Sequence, residues 1–214
     1  MNRLNESNMN ILKLIILAMG IALVILIVKL FRIESRDDKV IKNETVAVIY
    51  YRKSVRSYTN RIISHQQVDT LIRAGMSAPS ARNVQPWFFI AVDNRHLLDS
   101  MAAKLPYAKM LTQASVAIVV CGDTIKASEG NTLGYWQHDC SAATQNILLA
   151  AESMGLGAVW TGVYPNHERA EAVAHILQLP GHIKPLSVIP IGYPVGKNMP
   201  KDKWKAENMR WNLP

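Results

Sequence analysis

The stretch Ala78–Phe89, APSARNVQPWFF, carries more side-chain hydrogen-bonding capacity than a chain reversal requires. Ahead of it, Ser64–Met76 reads as a helix, because Ser64 and Gln67 have capping-box spacing and Val68, Leu71 and Ile72 recur at helical period. Behind it, Trp87–Val92 reads as a strand. A connection that only turns the chain is served by Gly or Asn-Gly, yet this one places Ser80, Arg82, Asn83 and Gln85 between Pro79 and Pro86. Turn chemistry and ligand binding both account for these side chains. Trp87 and Phe88 are expected in the core of the strand.

Outward from this stretch, Asn43 is placed to cap a helix over Thr45–Arg52 with an apolar stripe of Val46, Ile49 and Tyr50. Asn94 or Asp93 caps a helix bearing Leu97, Leu98 and Met101, which leads into the strand SVAIVVCGD at 115–123. The longest pattern runs from Gly134 to Met154, where Cys140, Ala143, Ile147, Ala151 and Met154 share a face and Gly155 is the expected stop. Small residues on that face let another helix approach closely, so this helix belongs at the centre of the core or at a subunit interface. GAVWTGVYP at 157–165 reads as a strand ending in a loop, and Asn166 can cap a helix through Leu177. SVIPIGYP at 187–194 reads as the last strand, with Pro190 suggesting an edge or a bulge. The tail from Val195 is basic, contains Trp204 and Trp211, and has no pattern of its own, so it is expected to pack on something else.

The 214 residues suit one domain plus a separate N-terminal segment. Ile11–Phe31 is apolar except for Lys13 and Lys29 near its ends, and at roughly 30 Å it matches a bilayer core. The expected organisation is an anchor at 1–33 with its span at about 11–31, a charged linker at 34–42 and a folded domain at 43–214. A cleaved signal peptide is the alternative, but LFRIES is a poor cleavage sequence. Arg3 and Lys13 precede the span while Lys29, Arg32, Arg36, Lys39 and Lys42 accompany its far end, which predicts a single-pass membrane protein with a cytoplasmic domain.

The net charge of +8 raises nucleic acid as a partner, but no basic run alternates with aromatics in the globular part. A phosphorylated ligand or an anionic membrane explains the charge as well, and no nucleic-acid partner is expected. Cys121 and Cys140 lie in apolar patterns and are expected as buried thiols. The six histidines do not pair at metal-ligand spacing, and no G-x-S-x-G elbow is present, so neither a metal site nor a hydrolase triad is expected. There is no G-x-G-x-x-G after a strand and no P-loop, so a nucleotide phosphate would be held by side chains.

RKSVR at 52–56 suits such a phosphate: arginine offers a planar fork and serine a further donor. A solvated basic helix end is the bland alternative. Taken in order, RKSVRSY, APSARNVQPWFF, GAVWTG and IGYPVGKNMPKDKW resemble the nitroreductase family of FMN-dependent oxidoreductases, over roughly Asn43 to Asn212. The resemblance implies an α+β fold, with a central, mostly antiparallel sheet flanked by helices and preceded here by the transmembrane helix. It implies that Arg52, Ser54 and Arg56, with Lys53 nearby, hold the flavin phosphate and ribityl chain. Pro79, Ser80, Asn83, Gln85, Pro86 and Trp87 match the family's P-S-x-x-N-x-Q-P-W motif, with Asn83 and then Gln85 as partners of the flavin. Thr161 and Gly162 fall where the family presents backbone N–H groups to flavin N5. Lys203 takes the place of an arginine that the family commonly has after G-Y-P, a point charge where a fork is usual.

The implied function is passage of electrons from NAD(P)H through FMN to a nitroaromatic, quinone or similar acceptor, by a ping-pong mechanism. The chemistry belongs to the cofactor, so no catalytic side chain is expected. The resemblance also implies a homodimer with FMN at its interface. A non-enzymatic, membrane-tethered flavin-binding or sensing protein is the alternative.

Overall fold

Val116–Asp123 forms a strand, β2, that is buried on both faces, and the fold is built around it. Val116, Ile118 and Val120 point into one apolar cluster, while Ala117, Val119 and Cys121 point into another, the alternation that a strand imposes. The computed structural model describes residues 3–41 and 44–212. The chain divides into a unit at 1–47 and a unit at 48–214.

In the first unit, α1 (Arg3–Ile41) is one helix. Within it Asn8–Val28, 21 residues, is long and apolar enough to cross a membrane, and none of it is buried. The helix continues over 34–41, where the sequence reads as a linker: that segment has no Gly or Pro, and its Glu, Arg and Lys are good helix formers. Asn43, the expected cap of the next helix, lies outside the described residues.

After α2 (Glu44–Tyr51), α3 (His65–Met76) opens on the expected capping box between Ser64 and Gln67. The edge strand β1 (Trp87–Val92) pairs with β2, and α4 (Arg95–Lys104), capped by Asn94, connects them. Phe88 departs from expectation: it is 47% exposed on this edge strand, while Trp87 and Phe89 pack against the core. After β2 come a short helix α5 (Thr124–Glu129) and the long α6 (Trp136–Ser153). GAVWTGVYP forms two short strands, β3 (Gly157–Ala158) and β4 (Thr161–Gly162), where one was expected. The helix α7 (His167–Ile176), capped by Asn166, leads to β5 (Ile183–Gly192).

The sheet order is β1-β2-β5-β3, with β4 also on β5, and every paired strand is antiparallel. β5 is therefore interior, against the edge position that Pro190 suggests. Its register sets Ala158 opposite Ile191 and Thr161 opposite Val188, so Pro190 faces Val159, in the gap between β3 and β4. The missing N–H thus coincides with a break in the partner strand. The α+β class and the antiparallel sheet agree with the sequence reading.

The stripe on α6 lies in the core: Cys140, Ala143, Ile147 and Ala151 are fully buried. Gly75 of α3 abuts it so closely that a Cβ there would stand 3.0 Å from Ile147 Cγ1. Cys140 Sγ donates to Cys121 O at 3.3 Å, and both cysteines are free thiols. Burial pushes the Cys121 thiol up to about 12. It raises Cys140 too, with Cys121 and Asp139 adding to the effect. The thiolate is the reactive form, so neither cysteine should alkylate with iodoacetamide at neutral pH in the folded protein, and both should do so after denaturation. Mass spectrometry of the two samples checks this.

Candidate functional site

Three of the segments singled out in the sequence attach to α6 at different levels. At its C-terminal end, Lys53 Nζ meets Glu152 Oε1 at 2.6 Å, with both side chains largely buried. The segment Arg52–Arg56 runs extended beside β3: Val55 N–H donates to Ala158 O at 3.0 Å, and Ser54 bridges Ala158 in parallel. Val55 turns inward against Gly157, where a Cβ would lie 2.7 Å from Val55 Cγ1, so only glycine permits this approach. Alternation then leaves Ser54 and Arg56 exposed and Arg52 half-exposed. Among the described residues neither arginine forms an ion pair. Two guanidinium forks and a hydroxyl remain free to bind an anion, whereas the charge of Lys53 is engaged by Glu152.

At mid-helix, Thr144 donates to Cys140 O at 2.8 Å, which leaves Ser187 to donate to Thr144 Oγ1 at 3.0 Å. Ser187 of β5 in turn pairs with Gly162 of β4. Thr161 is buried; Gly162 is exposed, and a Cβ there would meet nothing within 4 Å. Thr161 is three residue steps from Ala158, at most about 11 Å of chain, so β4 and the Arg52–Arg56 segment are neighbours.

Near the N-terminal end of α6, Asp139 Oδ1 accepts the N–H of Ala81 at 2.9 Å and ties down the loop from Pro79 to Pro86. The loop contains three left-handed residues that are not glycine: Arg82 (φ 53°), Asn83 (φ 56°) and Gln85 (φ 55°). Ser80 Oγ accepts Gln85 N–H at 2.9 Å, and Gln85 Nε2 donates to Asn83 Oδ1 at 2.9 Å. The two exposed amides therefore satisfy one function each. Asn83 Nδ2 and Gln85 Oε1, a donor and an acceptor, have no partner among the described residues. Pro79, exposed, leads into this turn.

The structure thus brings Arg52–Arg56 together with Thr161–Gly162, but sets Pro79–Gln85 apart. Asp139 and Glu152 are 13 positions apart on α6, or about 20 Å at helical rise. Lys203 stands in an exposed tail beside Trp204 (71% exposed) and has no hydrogen bond or ion pair among the described residues. Sequence reasoning missed Asp139 and Glu152. Their signal was a carboxylate adjoining the buried stripe at each end of the helix, next to Cys140 and Ala151 respectively.

The Lys53–Glu152 pair holds the Arg52–Arg56 segment to α6. A double-mutant cycle with Lys53→Met and Glu152→Gln, read by unfolding followed through tryptophan fluorescence, should give a coupling of about 0.5–3 kcal/mol.

The sequence model of the Nitroreductase family matches residues 49–105 and 97–193. The protein named "Putative NADH dehydrogenase/NAD(P)H nitroreductase" of Methanothermobacter thermautotrophicus is 46% identical over 158 residues, covering 74% of this chain and 81% of that protein. A crystal structure of a protein so named from Parabacteroides distasonis superposes with a TM-score of 0.76 at 54% identity, over 80% of this chain and 99% of that one. An FMN reductase (NADPH) of Bacillus subtilis is 28% identical over 189 residues, covering 78% of this chain and 74% of that enzyme.

Proposed function

This chain belongs to the nitroreductase family, and we propose that it passes electrons from NAD(P)H to a small nitroaromatic or quinone acceptor, with the two substrates using the site in turn. It is an NAD(P)H-dependent, FMN-binding oxidoreductase. The observation that carries the site is the outward face of Arg52, Ser54 and Arg56, whose side chains have no hydrogen-bond or ion-pair partner among the described residues, on a segment bridged to Ala158 of β3. When bound, FMN supplies the redox chemistry, taking hydride from NAD(P)H and passing electrons onward.

The chain's own residues do the rest. Arg52 and Arg56 receive the phosphate with Ser54 beside them, and Lys53 keeps this segment against Glu152. Asn83 and Gln85 offer one donor and one acceptor to the alternating edge of a flavin ring, from the turn that begins at Pro79 and Ser80. Thr161 and Gly162 present backbone to the reactive side of the ring, where open space over Gly162 admits it. Lys203 adds a positive charge from the tail. A cleft of about 280 Å³ begins two residues beyond Gly162, with Trp136 and Tyr164 in its wall, and supports a small planar acceptor.

A homodimer with FMN at its interface is supported by two features. The loop and the Arg52–Arg56 segment attach about 20 Å apart on α6, as parts of two different sites across a two-fold axis would. Met199, Trp204 and Trp211 are 78%, 71% and 82% exposed, apolar surface that a second copy would cover. The domain at 43–214 is anchored through 1–33 by a single span, joined by 34–42, with the domain in the cytoplasm; the apolar helix Asn8–Val28 and the basic residues after it support this.

The purified full-length protein should be yellow or become so with FMN, and NAD(P)H should bleach it. Quinone or nitroaromatic should restore the colour, with parallel lines in double-reciprocal plots. Flavin that NAD(P)H cannot reduce would falsify the electron-transfer reading. Arg52→Ala and Asn83→Ala should each weaken FMN binding at least about tenfold, or 1.4 kcal/mol. Asn83→Gly, which keeps the left-handed turn but lacks the amide, should do the same; unchanged affinity in all three variants would displace the site. In membrane fractions the protein should resist high salt and alkaline carbonate and yield only to detergent; release by salt would remove the anchor.

A further inference from the structure

Asp139 is a buried acidic side chain, 5% exposed, and only half of its carboxylate is matched. Oδ1 accepts the Ala81 N–H, while Oδ2 is buried with no partner among the described residues. Buried polar atoms are nearly always paired, and an unmatched one costs stability, so this carboxylate weakens the core it sits in unless what it holds compensates. Its place in the first turn of α6 is electrostatically suitable for an acid.

What it holds is the most strained turn of the domain. Arg82, Asn83 and Gln85 occupy a region that non-glycine residues rarely adopt, and such conformations persist only where the surroundings over-determine them. The restraints within the turn are local: Ser80 Oγ to Gln85 N–H, and the Gln85 amide to Asn83. Two others reach a neighbouring loop, through Arg82 Nη1 to Gly130 O at 3.4 Å and through Val84 packing on Gly130. Among the described residues, the hydrogen bond from Ala81 to Asp139 is the one that registers this turn on α6, the helix to which β4 and the Arg52–Arg56 segment are also joined.

We propose that Asp139 is a positioning residue of the flavin site: its carboxylate sets the Ser80–Gln85 turn on α6 so that the Asn83 and Gln85 amides meet the cofactor. The inference rests on the reading of this turn as part of that site. Asp139 itself makes no contact with the flavin, and its effect reaches the cofactor through Ala81.

The test uses the full-length protein in detergent, with FMN affinity, the visible circular dichroism of bound flavin and thermal unfolding measured on each variant. Asp139→Ala should weaken FMN binding about tenfold or more and alter the flavin dichroism. Asp139→Asn, whose amide oxygen can still accept the Ala81 N–H, should recover most of both. Should Asp139→Ala fail to fold, Ala81→Pro removes the same hydrogen bond from the donor side; Ser80 already has the extended conformation (ψ 153°) that precedes proline, and the same loss is expected. Unchanged affinity and dichroism in Asp139→Ala or Ala81→Pro would overturn the proposal. So would a loss in Asp139→Ala that Asp139→Asn does not repair. Asn83→Ala separates the two readings: if it weakens FMN binding while the Asp139 and Ala81 variants do not, only the positioning role fails, and if it too has no effect, the turn is not part of the flavin site.

Discussion

The closeness of α6 to its neighbours is the constraint from which the domain's organisation follows. Alanine, cysteine and threonine on its buried face let the helix sit near enough to β2 and β5 for side chains as short as Cys140 and Thr144 to hydrogen-bond them. Gly75 extends the same closeness to α3, where Asn146 Nδ2 donates to Ala74 O at 3.1 Å. A helix seated by short contacts has little freedom to slide, because each contact fixes its depth and rotation. That rigidity is what allows three separate segments, joined at Asp139, Thr144 and Glu152, to hold a defined spacing.

The proposed site is made from side chains and strained backbone, where many nucleotide-binding proteins use a glycine-rich loop. A glycine loop approaches a phosphate closely, but it pays backbone entropy on ordering. Here Arg52 and Arg56 reach outward from an extended segment whose inward residues, Lys53 and Val55, are fixed by an ion pair and by packing. The left-handed residues of the loop, each costing of order 1–3 kcal/mol, order the Asn83 and Gln85 amides before any ligand arrives. Ordering in advance lowers what binding must supply.

Much of this architecture is legible in the sequence because it rests on local signals. The capping box at Ser64, the caps at Asn94 and Asn166, the stripe on α6 and the left-handed Gly155 are each readable within a few residues. The motifs that resemble the nitroreductase family lie at the ends of these elements, so the candidate segments could be placed as well. The parts that were not legible depend on partners far along the chain. Phe88 reads as core because its neighbours are apolar, yet β1 is an edge strand, and only the sheet order reveals that. Lys53 reads as a phosphate ligand because it sits between cations, but its charge is engaged 99 positions away, at Glu152. Asp139 passes for a helix-start acid until the packing shows that it is buried.

Pro190 shows most clearly why single-strand signals mislead. A proline lacks one ladder donor, and read on its own strand it argues for an edge. The missing donor can also be accommodated by the opposite strand, and that is the arrangement here: β3 and β4 keep a common register on β5 but stop on either side of Val159 and Trp160. Tyr58 OH lies 2.7 Å from Val55 O and 3.0 Å from Pro190 O, so its single proton is shared between the carbonyl at this position and that of Val55. The interruption divides one extended segment into a half that pairs beside the Arg52–Arg56 segment and a half that ends at the open Gly162. A residue that lacks a ladder donor thus lies opposite the break between Ala158, which the Arg52–Arg56 segment bridges, and Gly162, while one interior strand holds both in register.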